Sequence, residues 1–383
     1  MLGTAIRMAG SEDGDGERRA GYDRSMRFRT ANIGKAGIAL AAGGSLVAMA
    51  GIAAGGWAVR NVKAYDAART RTRCAGFVEQ TVIINGSTIN YAAGPAGEKP
   101  PLLLIHGQGV DWQSYAPVLP ELAGDFSVFA IDVYGHGGSD RVPEKYSASA
   151  IGTDLARFIE DVIGTPVTVS GHSSGGQLAA WLAGHRPDLV HAAVLEDPPL
   201  FTTVLPRARK TWNWVDLASN CHAFLQSGET DWIAYSFTHQ KLWDFFGDSA
   251  DRIIRTGLRR HVRHPDRPIT LLFMPPSWND MQRSMLNYDP RFGDAFYTGD
   301  WDHGFDHEQT LRGIRAPTTL IHANWKYGPD GILQGAIDDH DARRIASLIR
   351  DVELVEVDSG HDMHAEEPRR FIELVRSINQ RVR

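Results

Sequence analysis

The chain has 383 residues, 43% of them hydrophobic and 22% charged, so it is longer than one compact unit of about 100 to 150 residues. Its 40 basic and 46 acidic residues leave a net charge of −6, which predicts no polycationic face and argues against a general nucleic-acid binder. The two cysteines, Cys74 and Cys221, exclude a disulfide scaffold and a zinc site built from four cysteines.

The amino-terminal fifth of the chain differs from the rest in composition. Residues 1–35 are rich in charge and poor in large apolar side chains, which predicts a disordered tail. Residues 36–59 carry no charge and are long enough to cross a bilayer as a helix, although nine alanines and six glycines weaken that pattern. Three interpretations stay open: a membrane anchor, a cleaved export signal, or a helix packed on the domain of a cytoplasmic protein. Residues 60–75 are expected to be a basic linker.

Beyond residue 75, short apolar runs alternate with helical patterns, which predicts an α/β fold with a mainly parallel sheet flanked by helices. Two strands turned at Asn85-Gly86 are expected within 76–93. Buried strands are predicted next at 102–106, 126–133, 167–170 and 192–195, and two further strands are predicted at 318–323 and 352–357. Helices are predicted at 151–163, 177–184 and 341–350, and from Pro368 onward.

Residues 198–315 interrupt this alternation. The segment holds 18 of the 35 aromatic residues of the chain, its patterns are helical, and no strand is predicted there. An aromatic helical insertion between two strands can cover the crevice at the carboxyl ends of a sheet, or it can simply form a subdomain core. Within it, Trp212 and Trp214 are candidate substrate-binding residues.

The strongest chemical signal is Gly171-His172-Ser173-Ser174-Gly175, between a predicted strand and a predicted helix. A sharp turn there needs small neighbours and exposes the Ser173 hydroxyl above the sheet. A serine hydroxyl is a weak nucleophile at neutral pH and needs a base. His361 follows the last predicted strand, and imidazole titrates near neutrality, so Ser173 and His361 are the expected nucleophile and base.

A second loop, His106-Gly107-Gln108-Gly109, follows the strand predicted at 102–106. Such a loop can aim backbone N–H groups at a developing oxyanion, and the amides of Gln108 and Ser174 are the candidates. His106, Gly107 and His172 are expected to border the substrate. The run Asp132-Val133-Tyr134-Gly135-His136-Gly137-Gly138-Ser139 is interpreted as a structural glycine turn.

Taken together, HGQG, DxxGHGxS, GHSSG and SGH resemble the α/β-hydrolase superfamily from about residue 76 to 383. The resemblance implies an α/β-hydrolase core of 76–197 and 316–383, with 198–315 as a helical cap. It also separates this chain from the haloalkane dehalogenases and epoxide hydrolases of the superfamily, which use an aspartate nucleophile where this chain has Ser173.

Four carboxylates are candidates for the acid that orients His361. The resemblance implies an aspartate just after the strand at 318–323, but Lys326 stands there. Asp330 in the following loop is the first choice, and Asp197, at the end of the strand at 192–195, is the main alternative. Asp338 and Glu196 are further candidates. Whichever residue it is should accept a hydrogen bond from His361 and stabilise the imidazolium.

The sequence therefore predicts a serine hydrolase that cleaves a carboxylic ester of a small to medium apolar or aromatic substrate. A C–C bond hydrolase, a cofactor-free perhydrolase and a non-catalytic binding homologue are the alternatives. No cofactor and no metal are expected, the ester is the expected partner, and membrane association would run through 36–59. The oligomeric state has no signature in the sequence.

Overall fold

The computed structural model describes residues 61 and 63–382, so the predictions for 1–35 and 36–59 lie outside the described residues. Ten strands occur in this part of the chain. They are β1 (Val78–Ile84), β2 (Ser87–Ala93), β3 (Pro101–Ile105), β4 (Ser127–Ile131), β5 (Val167–His172), β6 (Val190–Glu196), β7 (Thr318–His322), β8 (Lys326–Tyr327), β9 (Leu333–Gln334) and β10 (Val352–Glu356).

Eight of these strands form one sheet in the order β1-β2-β4-β3-β5-β6-β7-β10, while β8 and β9 pair separately. β1 and β2 form an antiparallel hairpin and β2 pairs antiparallel with β4, whereas every other neighbour in the large sheet is parallel. The predicted α/β class with a mainly parallel sheet is confirmed, and the six strands predicted after the hairpin are present with ends within two residues.

Helices cover both faces of the sheet, which explains why its central strands are continuously apolar. Leu103 and Ile105 of β3 belong to one buried cluster, and Leu102 and Leu104 belong to the cluster on the opposite face. Successive strand side chains point to opposite faces, so one apolar run contributes to two cores.

Before β7, the helices outside the inserted segment are α1 (residues 63–74), α2 (Leu119–Leu122), α3 (Ala148–Phe158) and α4 (Ser174–His185). Ser147 caps α3 by accepting from the Ala150 amide, and α3 continues as a π turn at Ile159–Ile163. The helices after β7 are α11 (Asp339–Leu348), α12 (Met363–Glu366) and α13 (Pro368–Gln380).

Residues 198–315, called the inserted segment below, contain helices and no strand. Its longer helices are α5 (Ser219–Ser227), α6 (Trp232–His239), α7 (Ala250–Arg263), α8 (Pro276–Ser284), α9 (Pro290–Thr298) and α10 (His307–Gly313). Trp301 is fully buried, and its Nε1 donates to Gln177 Oε1 of α4 (2.9 Å). The aromatic core of the segment is therefore continuous with one face of the sheet.

The linker expected at 60–75 is instead helical over residues 63–74. Arg69 of α1 pairs with Asp280 of α8, and Thr72 Oγ1 donates to the Ala116 carbonyl (3.3 Å). These contacts fasten α1 to both the inserted segment and the loop after β3, which composition alone does not show. In residues 61 and 63–382, no helix combines the length and the apolar character needed to cross a bilayer.

Candidate active site

Ser173 occupies the turn between β5 and α4, and its backbone is in an unusual conformation, with φ 55° and ψ −122°. The flanking glycines are required because a Cβ on Gly171 would lie 2.0 Å from the Gly175 carbonyl oxygen. A Cβ on Gly175 would lie 2.2 Å from the Ile105 carbonyl oxygen of β3. The turn therefore holds Ser173 at the carboxyl end of the sheet in a backbone conformation that is found mainly at functional sites.

The loop 106–109 lies directly beside Ser173. A Cβ on Gly107 would sit 3.0 Å from Ser173 Cβ and 2.8 Å from His172 Nδ1, so only glycine fits at this approach. Within the described residues, the backbone N–H groups of Gln108 and Ser174 donate no hydrogen bond to the protein. Two unpaired amides beside a serine hydroxyl are the groups that a tetrahedral oxyanion needs.

Two buried histidines hold this loop. His136 Nε2 accepts from the Gly109 amide (3.1 Å), and His106 Nε2 accepts from the Val133 amide (2.9 Å) while its Nδ1 donates to the Gly107 carbonyl (2.7 Å). Burial lowers the pKa of His106 to about 4 and that of His136 well below its usual value, so both rings are neutral. Both His106 nitrogens are bonded to the backbone, so His106 positions the loop and has no free nitrogen for a substrate.

His361 is paired with Asp197. Its Nδ1 donates to Asp197 Oδ2 (2.6 Å), while within the described chain its Nε2 has no hydrogen-bond partner. The His361 side chain is 39% exposed and that of Asp197 is 2% exposed. Asp197 has a positive φ of 43°, which turns the chain at the end of β6. The exposed histidine can therefore exchange a proton with a substrate while the buried carboxylate fixes its orientation.

The electrostatics of this pair favour an imidazolium. Burial lowers the pKa of His361, but the hydrogen bond and the charge of Asp197 outweigh burial and raise it to about 9. Burial likewise raises the pKa of Asp197, but the hydrogen bond from His361 and the nearby His322 ring, whose Nδ1 lies 3.9 Å from Oδ1, outweigh burial and lower that pKa to about 2. Among the described residues no hydrogen bond joins Ser173 Oγ to His361, and such bonds often form only with substrate in place.

The other candidate acids are engaged elsewhere. Asp330, the first choice from the sequence, accepts from the Ile332 amide (3.1 Å) and closes its own turn. Asp338 caps α11 by accepting from the Asp341 amide (2.9 Å) and pairs with Arg207. The structure thus brings Asp197, and neither of these aspartates, to His361. No hydrogen bond or ion pair among the described residues joins Asp330 to His361.

Glu196, the remaining candidate, forms a second pair next to the first. It accepts from the backbone amide of His364 (2.8 Å) and from His364 Nδ1 (2.9 Å). The Glu196 side chain is 0% exposed and that of His364 is 2% exposed. Burial lowers the pKa of His364, but the charge and hydrogen bond of Glu196 outweigh it and raise that pKa, which favours a buried ion pair. This pair fastens the segment that carries His361 to the end of β6.

His172 fills the space between these two pairs. Its ring centroid lies 4.5 Å from that of His361 and 5.1 Å from that of His364, and its Nε2 donates to the His361 carbonyl (3.0 Å). Burial lowers the pKa of His172 to about 3, so the ring is neutral. His172 therefore supports the backbone of His361 from within the protein.

Trp212 and Trp214, predicted from the aromatic content, are both partly buried. Trp212 stacks on Phe245 with ring centroids 5.7 Å apart, and Trp214 stacks on Tyr297 at 4.8 Å. Both stacking partners belong to the inserted segment. No hydrogen bond or ring contact among the described residues joins either tryptophan to Ser173 or His361.

The inserted segment supplies other side chains to the site that the sequence did not single out. Tyr288 Oη accepts from Gln108 Nε2 (2.9 Å). A Cβ on Gly109 would lie 2.9 Å from Met285 Cε and 3.7 Å from Leu217 Cδ2. Apolar side chains thus lie against the loop beside Ser173, and no periodicity in the sequence indicates which of the segment's residues they are.

Comparisons with known proteins agree with this architecture. A sequence model of the family described as "Alpha/beta hydrolase family" matches residues 102–374. An esterase of Mycobacterium tuberculosis is 28% identical over 285 residues, which are 74% of this chain and 83% of that protein. A soluble epoxide hydrolase of a Corynebacterium species is 30% identical over 154 residues; the match spans 39% of this chain and about half of that protein, 51%.

Solved structures with the same fold extend over most of the chain. The crystal structure of a membrane phospholipase A, described as a bacterial virulence factor, superposes with a TM-score of 0.58 at 22% identity and covers 88% of this chain and 97% of that one. The enol-lactonase of Burkholderia xenovorans superposes with a TM-score of 0.55 at 18% identity. The superposition covers 79% of this chain and 100% of the enol-lactonase chain. At these identities the likeness concerns the fold.

Proposed function

The chain belongs to the α/β-hydrolase family, and from that premise we propose that it is a serine hydrolase cleaving carboxylic esters through an acyl-enzyme on Ser173. The observation that carries the proposal is the 2.6 Å hydrogen bond from His361 Nδ1 to Asp197 Oδ2, which leaves Nε2 free at a partly exposed ring. The esterase relative, aligned over 74% of this chain, supports the same reaction class.

In the proposed reaction Ser173 Oγ attacks the ester carbonyl carbon while His361 Nε2 takes the hydroxyl proton. The carbonyl oxygen becomes an oxyanion that accepts from the amides of Gln108 and Ser174. As the C–O bond breaks, His361 returns the proton to the leaving alcohol. A water molecule then attacks the acyl-enzyme with the same base and releases the carboxylic acid.

Asp197 takes the role that the sequence first assigned to Asp330. Its carboxylate holds Nδ1 of His361 protonated, so that Nε2 is the nitrogen that accepts the serine proton. Its negative charge also stabilises the imidazolium that forms in the transition state. Asp197 is itself held by the Ala323 amide (3.4 Å).

The acyl group is proposed to be apolar and of small to medium size. Leu217, Met281 and Met285 lie against Gly109 in the loop beside Ser173, and none of them offers a charged group to a substrate. Methionine side chains adapt their shape to apolar ligands of several forms. The aspartate-nucleophile chemistry of epoxide hydrolases is not proposed, because position 173 is serine.

The test is covalent labelling of the folded chain with a fluorophosphonate probe, followed by identification of the modified peptide. We expect one adduct on Ser173 and none in Ser173→Ala, together with hydrolysis of p-nitrophenyl esters that favours short and medium acyl chains. A folded protein that neither labels at Ser173 nor hydrolyses the esters would contradict the proposal. Cleavage of a vinylogous diketone in preference to esters would instead indicate C–C bond hydrolysis at the same site.

A further inference from the structure

Helix α7 of the inserted segment presents a dense basic surface to solvent. Residues 250–267 contain six arginines against two aspartates, whereas the whole chain has a net charge of −6. Gly257 and His261 of α7 are buried, and a Cβ on Gly257 would lie 2.6 Å from the ring of Phe237. One side of α7 is thus packed on the segment, and the arginines lie on the other side. The local charge departs from the expectation drawn from the net charge of the chain.

Most of these arginines have no acidic partner. Arg255 lies 4.0 Å from Asp251, with both side chains exposed. The other five arginines of the group form no ion pair with a described residue. They are Arg252, Arg259, Arg260, Arg263 and Arg267. At 100° per residue, Arg252, Arg259 and Arg263 share one narrow side of the helix. Six exposed arginines at this density leave a positive potential that the two aspartates of the same stretch offset only in part.

Exposed apolar side chains lie on the same helix and on the chain segments that precede and follow it. Val262 of α7 is 79% exposed, and Phe245, in the 3-10 segment that leads into α7, is 63% exposed. After α7, Leu272 is 55% and Phe273 47% exposed, and Phe273 packs on Phe246 with ring centroids 5.8 Å apart. These four side chains and the arginines from 252 to 267 are called the α7 patch. A surface that combines unpaired cations with protruding aromatic and aliphatic groups is typical of a protein that lies on a membrane.

The beginning of the described chain lies at this patch. Asn61 follows the uncharged stretch 36–59 by two residues, and its Nδ2 donates to the carbonyls of Leu272 (3.1 Å) and Met274. The described chain therefore begins at a residue that is bonded to the backbone of the α7 patch. In the sequence, the uncharged stretch thus ends two residues before a contact with the exposed apolar and basic surface.

We propose that the α7 patch binds the surface of an anionic lipid bilayer, with the arginines on the phosphates of the headgroups and Phe245, Val262, Leu272 and Phe273 in the interfacial region. Each basic side chain near an anionic bilayer strengthens binding, and the apolar groups add affinity that salt does not screen. The inserted segment, which also contributes Tyr288 and Met285 to the site, then faces the membrane. This inference concerns a surface outside the catalytic residues and does not depend on the reaction at Ser173.

Lipid fits the patch better than nucleic acid does. A nucleic-acid site binds phosphates with cations and stacks bases on aromatic rings, but Val262 and Leu272 offer no stacking surface. The exposed aliphatic groups would lie in water on a nucleic-acid complex and in the interfacial region of a bilayer. Tighter binding of an oligonucleotide than of vesicles by these arginines would overturn the proposal.

The experiment is flotation of the full chain with vesicles of phosphatidylcholine alone or with about one third phosphatidylglycerol, at low and physiological salt. We expect tighter binding to the anionic vesicles, with a preference that falls as salt rises. The variant R259E/R263E/R267E should lose about 100-fold in affinity for anionic vesicles, the combined effect of three basic side chains, and little for neutral ones. The variant V262S/F273S should lose about tenfold for both vesicle types.

The matched control is R343E/R350E/R369E, which reverses three exposed arginines outside the patch that form no ion pair among the described residues. It should bind both vesicle types as the unmodified chain does. Equal binding of both vesicle types by the unmodified chain, or equal effects of the two triple variants, would overturn the proposal. So would tighter binding to a double-stranded oligonucleotide than to vesicles through the same arginines.

Activity on a soluble p-nitrophenyl ester separates this inference from the proposed function. The two patch variants should hydrolyse the soluble ester at the rate of the unmodified chain and melt at the same temperature, because their substitutions lie on the surface away from Ser173. A chain that hydrolyses the ester but shows no lipid preference would refute the patch alone. A chain that binds anionic vesicles but neither labels nor hydrolyses would refute the hydrolase alone.

Discussion

Two adjacent carboxylates at the end of β6 each hold one histidine of the segment after β10, yet the two pairs differ in their contact with solvent. In the Asp197–His361 pair the histidine is 39% exposed, whereas in the Glu196–His364 pair both side chains are buried. The chemistry of the two pairs is the same, a carboxylate that accepts from Nδ1. Exposure is therefore what separates a pair that can pass a proton to a substrate from one that can only hold the chain.

The comparison also explains why the pairs occur together. Catalysis by His361 requires a ring held to within a fraction of an ångström, and its own bond to Asp197 fixes only its rotation. Glu196 accepts from both the backbone and the ring of His364, so it fixes the backbone three residues away. The Asp197–His361 pair therefore provides the reactive Nε2, and the Glu196–His364 pair fixes the position of the backbone that carries it.

The largest expected effect comes from removing the carboxylate of the exposed pair. Asp197→Asn should lower kcat/KM for an ester by about 10⁴-fold, because the amide no longer fixes the tautomer of His361 or stabilises the imidazolium. Asp330→Asn should leave kcat/KM within about twofold, since Asp330 only closes its own turn. Steady-state hydrolysis of one soluble ester by both purified variants measures this difference.

If Asp330→Asn were inactive and Asp197→Asn kept a kcat/KM near that of the unmodified chain, Asp330 in the loop after β7 would be the residue that orients His361. Thermal unfolding of both variants is the control, because Asp197 is buried and also binds the Ala323 amide. A loss of activity at a temperature where the variant is still folded assigns the effect to chemistry.

The contrast between the two aspartates shows where sequence reasoning succeeds. The turn at Ser173 could be predicted because its steric requirements lie within five residues, from Gly171 to Gly175. The buried strands could be predicted because a parallel sheet covered on both faces requires apolar runs. The partner of His361 lies 164 residues away in the chain, and its approach depends on the positive φ of Asp197, which no pattern encodes.

The inserted segment illustrates a second limit. Its aromatic content predicted a helical unit, because large rings need a core of their own to be buried. It did not indicate that Tyr288 and Met285 meet the loop at 106–109, since those contacts depend on how helices pack. The net charge of the whole chain also did not indicate the basic surface of α7, because acidic residues elsewhere in the chain outweigh the six arginines of residues 250–267.

The next largest effect should come from the buried pair, and it should appear in stability. Glu196→Gln leaves the His364 imidazolium buried without its counter-charge, so we expect a loss of about 3 kcal/mol in the free energy of unfolding. Urea denaturation measures it, with the exposed Glu353→Gln of β10 as the control that should change little. If Glu196→Gln were as stable as the control, the buried pair would have no anchoring role.

The pH dependence of kcat/KM tests the electrostatics of the exposed pair. Asp197 raises the pKa of His361 to about 9, and only the neutral imidazole can accept the Ser173 proton. Activity should therefore be lost as pH falls below that pKa, so kcat/KM should rise about tenfold per pH unit from pH 7 before it levels near 9. In Asp197→Asn the midpoint of the residual activity should move down toward 6.5, the ordinary pKa of histidine. A midpoint near 6.5 in the unmodified protein would contradict the raised pKa.

The smallest expected effect concerns the contact between the inserted segment and the oxyanion loop. Tyr288→Phe removes the acceptor of Gln108 Nε2 while keeping the buried ring, so the loop beside Ser173 loses one hydrogen bond of about 1 kcal/mol. We expect kcat to fall about fivefold with KM nearly unchanged, because the Gln108 amide is used most in the transition state. Tyr297→Phe is the matched control, since Tyr297 belongs to the same segment and stacks on Trp214 without bonding to the loop. Equal kcat values for the two variants would show that His106 and His136 hold the loop without Tyr288 and that the segment contributes only apolar contacts to the site.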